Sequence, residues 1–478
     1  MTPRKILVVV SEMSGIWGVW CLDYAVKAQL SGSNVTLLDL SDLNPTYYRN
    51  LKRKLARRVS RRNRFDKIAK AISQENKIVY LTSSFFKDEY SKPQSMIESQ
   101  STRFWDAIDS KYATRVGKRI RNETDINPQL LRLEEYFYNL TTNIIIRVCS
   151  GQSYDQIIVA NGMQGIAGSV VATAEALEIP LGVLELVSDA RWAYQVHPSN
   201  LREDPKFLQD DILQHWNLGD DLKYEVAESA LNEKLIGKRA GMVSWSSSFN
   251  PMEKSYAKPK TKIAVMFPTS DFERPLSSHL DKNATFQGSQ LIAFSTFSEI
   301  AKKFGYSLIV RGHPHPDNPI KMQMEDRIWQ QFCGEKSIQY VTSGSETSSY
   351  DLMMNSSLNV SYLSSCTLDS IILGRNTMAL AQRDFTSFIP EICAFTPKEI
   401  EQKLDVLNLK IDRSKIYPWA YHYKTAGQEV TVFEILDNNG DIFFKGKKID
   451  EARFGMVVNS KVANRLRSWL TVSIVKSH

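Results

Sequence analysis

Cysteine is scarce in this chain of 478 residues. Its five copies, Cys21, Cys149, Cys333, Cys366 and Cys393, are scattered, odd in number and never spaced C-x-x-C. That pattern excludes a disulfide framework and a structural zinc knuckle and fits a reducing compartment. Long apolar runs are missing too. No uncharged apolar stretch is long enough for a membrane span. The opening MTPRKILVVV is too short for a signal peptide and carries no cleavage pattern. A cytoplasmic protein is expected. No G-x-G-x-x-G links a strand to a helix, so no dinucleotide is expected. No D-x-D closes a convincing strand, so no metal and no cofactor is expected. No nucleic-acid-binding signature occurs, so nucleic acid is not expected as a partner.

What is present is a globular composition, 42% hydrophobic and 24% charged, long enough for two or three domains. The net charge of +7 mildly favours partners that carry phosphate or acidic groups.

Short apolar runs alternate with helical segments along most of the chain, the pattern of an α/β fold with parallel sheets. Lys5 to Val10, Val35 to Leu40, Lys77 to Leu81, Asp155 to Ala160 and Leu181 to Leu186 read as strands of a first doubly wound domain. The Ser-, Pro- and Lys-rich stretch SWSSSFNPMEKSYAKPKTK marks a boundary. Lys262 to Phe267, Ser307 to Arg311, Gln339 to Val341, Leu358 to Leu363 and Thr377 to Ala381 read as strands of a second. The expected architecture is two Rossmann-like domains facing a cleft, residues 1–245 and 260–405. An extension, 406–478, includes a hairpin around Asn438-Asn439-Gly440 and packs back across the domains.

The stretch from Ser307 to Leu380 holds the densest chemistry. A strand ends at Arg311 and Gly312 and runs into His313, Pro314, His315 and Pro316. A later strand ends in the small polar turn Ser364-Ser365-Cys366-Thr367, which opens a helix. Ligands of open parallel sheets bind at strand carboxyl ends. Free backbone N–H groups and hydroxyls at a helix start suit a phosphate. Each element alone is as well explained by a rigid turn or a helix cap. Together, in one half of one domain, they point to a nucleotide.

Asn50 to Ala71 is the most basic segment, with Arg53, Arg57, Arg58 and Arg61 among its cations and Leu51, Leu55, Val59 and Ile68 on roughly one helical face. Such a helix suits an anionic membrane surface or a phosphate-rich acceptor. A solvated helix with one apolar stripe is the plain alternative. The membrane reading adds a peripheral position at the inner face of the plasma membrane to the expected location.

VRGHPHP (Val310 to Pro316), SSYDLM (Ser348 to Met353) and SYLSSCTLDSIILGRNTMAL (Ser361 to Leu380) resemble the HP and serine motifs of bacterial capsule and surface-polysaccharide glycosyltransferases of GT-B architecture. IVANGMQGIAGSVVATAEALEIPLGVLE (Ile158 to Glu185) and FPTSDFE (Phe267 to Glu273) resemble them as well. The resemblance implies transfer of a sugar from a nucleotide-sugar donor to a surface-polysaccharide or lipid-linked glycan. It implies that His313, with Pro314, meets the nucleotide phosphate or base. By the same resemblance Ser364, Ser365 and Thr367 hold the phosphate, and Asp369 holds the ribose. A glutamate is usual at that last position, so Asp369 is a departure.

Glycosyl transfer must stabilise a leaving nucleotide and deprotonate an acceptor hydroxyl. Arg311, His313 and the hydroxyls suit the first task. The second needs a base from the first domain, and Glu12, Glu185 and Asp189 stand at its predicted strand ends. Each is equally readable as a structural or solvent-facing acid, and Asp271 is an alternative on the donor side. Three rivals share the architecture: a CDP-alditol-type phosphotransferase of cell-wall polymer synthesis, a non-catalytic nucleotide-sugar or glycan-binding partner, and a nucleotide-sugar 2-epimerase. The basic segment favours a transferase over an epimerase.

Overall fold

The structure is a computed structural model. It describes residues 3–12, 15–43, 65–91, 107–108, 128–162, 165–188, 193–198, 205–235, 261–269, 286, 289–313, 319–406, 409, 411–436 and 441–451. Arg53, Arg57, Arg58, Arg61, Asp189, Asp271 and Pro314 lie outside them, as do the Asn438-Asn439-Gly440 turn and the boundary stretch 244–260.

The first domain runs β1 (Lys5–Val10), α1 (Ile16–Leu30), β2 (Asn34–Asp39), α2 (residues 65–75), β3 (Val79–Thr82), α3 (Pro128–Gly151), β4 (Gln156–Ala160), α4 (Gly165–Ala176), β5 (Leu181–Ser188) and β6 (Ala193–His197). Its sheet has the order β3-β2-β1-β4-β5-β6. Five strands are parallel, and β6 runs antiparallel to β5. The apolar runs of β1 and β4 are buried on both faces, as a central parallel strand requires. One core lies between the sheet and α1, around Val8, Trp20 and Leu37. The other lies under α3 and α4, around Leu7, Ile144 and Val170. β6 is not among the strands expected from the sequence.

Two helices follow, α5 (Pro205–Leu218) and α6 (Lys223–Leu235). The second domain runs β7 (Ile263–Phe267), α7 (Gln290–Lys303), β8 (Ser307–Arg311), α8 (Pro319–Lys336), β9 (Gln339–Val341), α9 (Ser349–Asn355), β10 (Leu358–Ser361), α10 (Cys366–Ile372), β11 (Thr377–Ala379) and α11 (Pro397–Val406). Its sheet has the order β11-β10-β7-β8-β9 and is parallel throughout. Both sheets therefore reverse their strand order beside their own first strand, β1 against β4 and β7 against β10. A doubly wound sheet opens its binding crevice at that reversal.

Helix α12 (Tyr417–Thr425) closes a separate apolar cluster in which Ala227 and Leu231 of α6 meet Leu368 and Ile371 of α10. So α6, which the sequence boundary at 245 groups with the first domain, packs its apolar face on the second. Beyond α12 the chain crosses to the first domain. Gln428 exchanges two backbone hydrogen bonds with Tyr194, at 2.7 and 3.1 Å. β12 (Glu434–Leu436), β13 (Asp441–Phe444) and β14 (Lys447–Glu451) form a small antiparallel sheet, and Phe433, Ile442 and Ile449 join the core of α1.

Candidate functional site

The carboxyl end of β8 delivers Arg311, which is only 5% exposed. Its Nη1 donates to the Thr342 carbonyl and its Nη2 to the Ser345 carbonyl at 3.4 Å. Nε is buried with no acceptor, and among the described residues no carboxylate forms an ion pair with this guanidinium. Burial lowers the Arg311 pKa, opposed by the negative potential of Tyr340, Cys366 and Asp326. A buried cation held only by carbonyls is a seat for an anion. His313 follows one glycine later and is half-buried.

The turn after β10 lies close by. Leu363 takes φ 56°, a left-handed conformation that costs a branched residue about 1–2 kcal/mol. Arg383 holds it there, donating from Nη1 to the Leu363 carbonyl at 2.6 Å. Ser364 is buried, and its hydroxyl accepts from the Cys366 N–H at 3.3 Å. Ser365 is exposed and caps α10 without using its side chain. Thr367 is buried, with its hydroxyl against that of Ser361. Cys366 follows in the same turn. Burial and Asp369 push its thiol up to about 11, while Ser364, Lys234 and Arg311 pull the other way.

Asp369 is engaged by protein. Its Oδ1 pairs with Lys234 Nζ from α6, and both side chains are buried. A ribose hydroxyl would have to share this carboxylate with the ammonium. Lys234 and Arg383 are the residues that sequence reasoning missed. Lys234 stands 135 positions from its partner and in no motif.

In the first domain, Ser11 and half-buried Glu12 follow β1, and Asn161 and Gly162 follow β4 with φ of 70° and 54°. A Cβ on Gly162 would come within 3.1 Å of Val183. Glu185 was expected at a strand end. It lies inside β5, is 5% exposed and stands opposite Gln195 of β6. The strand is longer than its apolar run because β6 pairs with it.

The structure thus brings Arg311, His313, Ser364 and Thr367 to the carboxyl ends of β8 and β10, which flank β7 in one sheet, with Asp369 paired to Lys234 in the helix that follows β10. Among the described residues no group of three or more His, Cys, Asp or Glu is placed to hold a metal ion. No described helix is long and apolar enough to cross a membrane.

No family model and no curated protein matches the chain. Solved structures overlap it weakly. KpsC β-Kdo 2,7 transferase of Thermosulfurimonas dismutans is 12% identical with a TM-score of 0.35, over 58% of this chain and 80% of that one. UDP-GlcNAc 2-epimerase of Neisseria meningitidis, bound to UDP-GlcNAc, is 11% identical with a TM-score of 0.26, over 88% and 98%. UDP-GlcNAc 2-epimerase of Methanocaldococcus jannaschii, in complex with UDP-GlcNAc and UDP, is 10% identical with a TM-score of 0.30, over 87% and 98%. At such overlap the likeness carries no weight for chemistry, which the side chains must supply.

Proposed function

We propose that the chain is a glycosyltransferase. It takes a sugar from a nucleotide-sugar donor held by the second domain and passes it to a surface-polysaccharide or lipid-linked glycan acceptor on the first. The observation that carries this reading is Arg311, a buried guanidinium at a strand carboxyl end, bonded only to carbonyls and with Nε unsatisfied. An anion completes it, and a nucleotide phosphate is the anion that a doubly wound sheet binds there.

In this reading the acceptor oxygen attacks the anomeric carbon as the bond to the donor phosphate breaks. The electron pair stays on the phosphate, where Arg311, His313 and the Ser364–Thr367 turn receive its charge. With Arg311 supplying positive charge, the reaction in this reading needs no metal. Lys234 pairs with one oxygen of Asp369, and the ribose shares that carboxylate. The acceptor proton goes to a first-domain carboxylate, with Glu12, Glu185 and Asp189 as the candidates. The basic segment with Arg53, Arg57, Arg58 and Arg61 meets the acceptor or an anionic membrane surface.

The test is acceptor-dependent release. CMP-, CDP-, UDP- and GDP-linked sugars are incubated with glycan and lipid-linked acceptors, and free nucleotide is measured. The reading expects release from one donor class only when acceptor is present. Binding of a nucleotide without release from any donor would replace the enzyme with a binding partner. Transfer of a phospho-alditol from a CDP-alditol would move the assignment to a phosphotransferase.

A further inference from the structure

The unit that supports Arg311 occurs twice in this chain. Asp66, Ile78, Tyr80, Thr82 and Ser83 recur at one constant spacing as Asp326, Ile338, Tyr340, Thr342 and Ser343. The backbone repeats with them. Lys77 and Ser337 both take positive φ, 55° and 51°. Ile78 N–H donates to the Ser73 carbonyl at 2.8 Å, and Ile338 N–H donates to that of Cys333 at 2.9 Å. The Tyr80 hydroxyl donates to Asp66 Oδ1 at 3.0 Å and the Tyr340 hydroxyl to Asp326 Oδ1 at 2.5 Å, each across 14 residues. β3 and β9 are edge strands at the same place in the two sheets, with Tyr80 opposite Leu37 and Tyr340 opposite Val310.

The copies part at the serine, where the Ser83 hydroxyl donates to Asp42 and the Ser343 hydroxyl to Asp326, and at the neighbouring strand. In that shared register β2 brings Asp39, whose Oδ2 lies 3.3 Å from the Tyr80 hydroxyl. β8 brings Gly312 instead. A Cβ on Gly312 would lie 2.5 Å from the Tyr340 hydroxyl, 2.8 Å from Ser343 N and 3.0 Å from Asp326 Oδ1. The backbone between Arg311 and His313 therefore rests directly on these three residues. Asp326 Oδ1 accepts from the Tyr340 hydroxyl, from Ser343 N at 3.0 Å and from Ser343 Oγ at 2.6 Å. Those bonds fix the turn whose Thr342 and Ser345 carbonyls hold the Arg311 guanidinium.

We propose that Asp326 is a positioning residue for the donor site. It touches no donor. Through Ser343 and Tyr340 it sets the turn that aims Arg311 and the peptide that carries His313. The proposal rests on the reading of Arg311 as an anion seat. A site held by a rigid supporting layer loses binding when that layer is loosened, although every ligand remains. The first-domain copy, built on Asp66 but beside Asp39 and with no arginine, supplies an internal control for general destabilisation.

The test titrates wild type, Arg311→Ala, Asp326→Ala, Asp326→Asn, Ser343→Ala and Asp66→Ala with CMP, CDP, UDP and GDP by calorimetry. The nucleotide that binds wild type should bind Asp326→Ala at least about tenfold more weakly and Asp66→Ala within about threefold. Asp326→Asn keeps the Oδ1 acceptor and should recover most of the affinity. Ser343→Ala removes one of the three donors, should weaken binding several-fold, and carries the test if Asp326→Ala does not fold. Wild-type affinity in both Asp326→Ala and Ser343→Ala, with Arg311→Ala inactive in binding, overturns the proposal and leaves the anion seat standing. Equal losses in Asp66→Ala and Asp326→Ala overturn it as well. Undiminished binding in Arg311→Ala, or no binding by wild type, overturns the anion seat and the proposal with it.

Discussion

Lys234 and Asp369 form an ion pair with side chains 7% and 9% exposed, joining α6 to the first turn of α10. The contact welds the helix before the inter-domain stretch to the turn that carries Ser364 and Thr367. A charge left alone in such a place costs about 3–5 kcal/mol, whereas a pair replaced by apolar groups costs little. Lys234→Met and Asp369→Leu should each lower stability to denaturant by roughly that amount. The double variant should recover most of the loss. Additive losses in the double variant would show that the two side chains act independently.

Asp23 does for the C-terminal extension what Lys234 does for α10. It is fully buried in α1 and pairs with Lys27 at 2.7 Å. It also accepts from the N–H groups of Thr431 and Val432, at 2.6 and 2.9 Å, and from the Tyr194 hydroxyl at 2.8 Å. Replacing Asp23 by alanine leaves two backbone donors and the Tyr194 hydroxyl without their acceptor and strips Lys27 of its carboxylate, leaving it the Glu429 carbonyl, a loss of about 3–5 kcal/mol by the buried-pair rule. Limited proteolysis should then cut within residues 426–436, which the wild type protects. Equal protection in both proteins would mean that the apolar contacts of Phe433 hold the extension alone.

Acid should weaken the junction of α5 and α12. Burial pushes the Asp211 carboxyl up, but hydrogen bonds from His422 and Gln195 and the nearby charges of His422 and His197 outweigh it and hold its pKa below the usual range. A carboxylate depressed in the folded state contributes stability above its unfolded pKa of about 3.9 and loses it as pH falls through the folded value. Asp211→Asn should therefore melt below wild type at neutral pH, and the gap should begin to close below about pH 4 and vanish once pH falls past the depressed folded value. A gap that stayed constant from pH 7 to pH 3 would remove the carboxylate from the account.

The native protein should resist thiol alkylation. Burial raises the thiols of Cys149 and Cys366 to about 11 and those of Cys21, Cys333 and Cys393 to about 12. At pH 8 less than about one thiol in several hundred is then ionised, and the thiolate is the reacting form. Iodoacetamide followed by mass spectrometry should find the native chain largely unlabelled and all five sites labelled after denaturation. Fast native labelling of Cys366 would mean that its turn opens or that its neighbours favour the thiolate.

The two doubly wound sheets were legible because parallel central strands leave apolar runs, as in Lys5 to Val10 and Ile263 to Phe267, with small polar residues where each run stops. β6 was not, since Ala193 to His197 alternates weakly and its pairing with β5 is a tertiary event. That same pairing buries Glu185 inside its strand. Arg311 and Ser364 announced themselves by position at strand ends. The engagement of Asp369 could not, because its partner comes from a helix 135 residues away and a lone lysine carries no local signal. The repeat of Asp66–Ser83 in Asp326–Ser343 was readable all along as identical residues at one spacing, but its meaning depends on which strand lies beside each copy.

The most direct measurement is the thermal shift of wild type and His313→Ala with CMP, CDP, UDP, GDP and ADP. A ligand that binds only the folded state raises the melting temperature with its concentration. The account predicts a concentration-dependent rise with one nucleotide class and its loss in His313→Ala. No rise with any of the five, or a rise that survives the substitution, would contradict a donor site at the ends of β8 and β10.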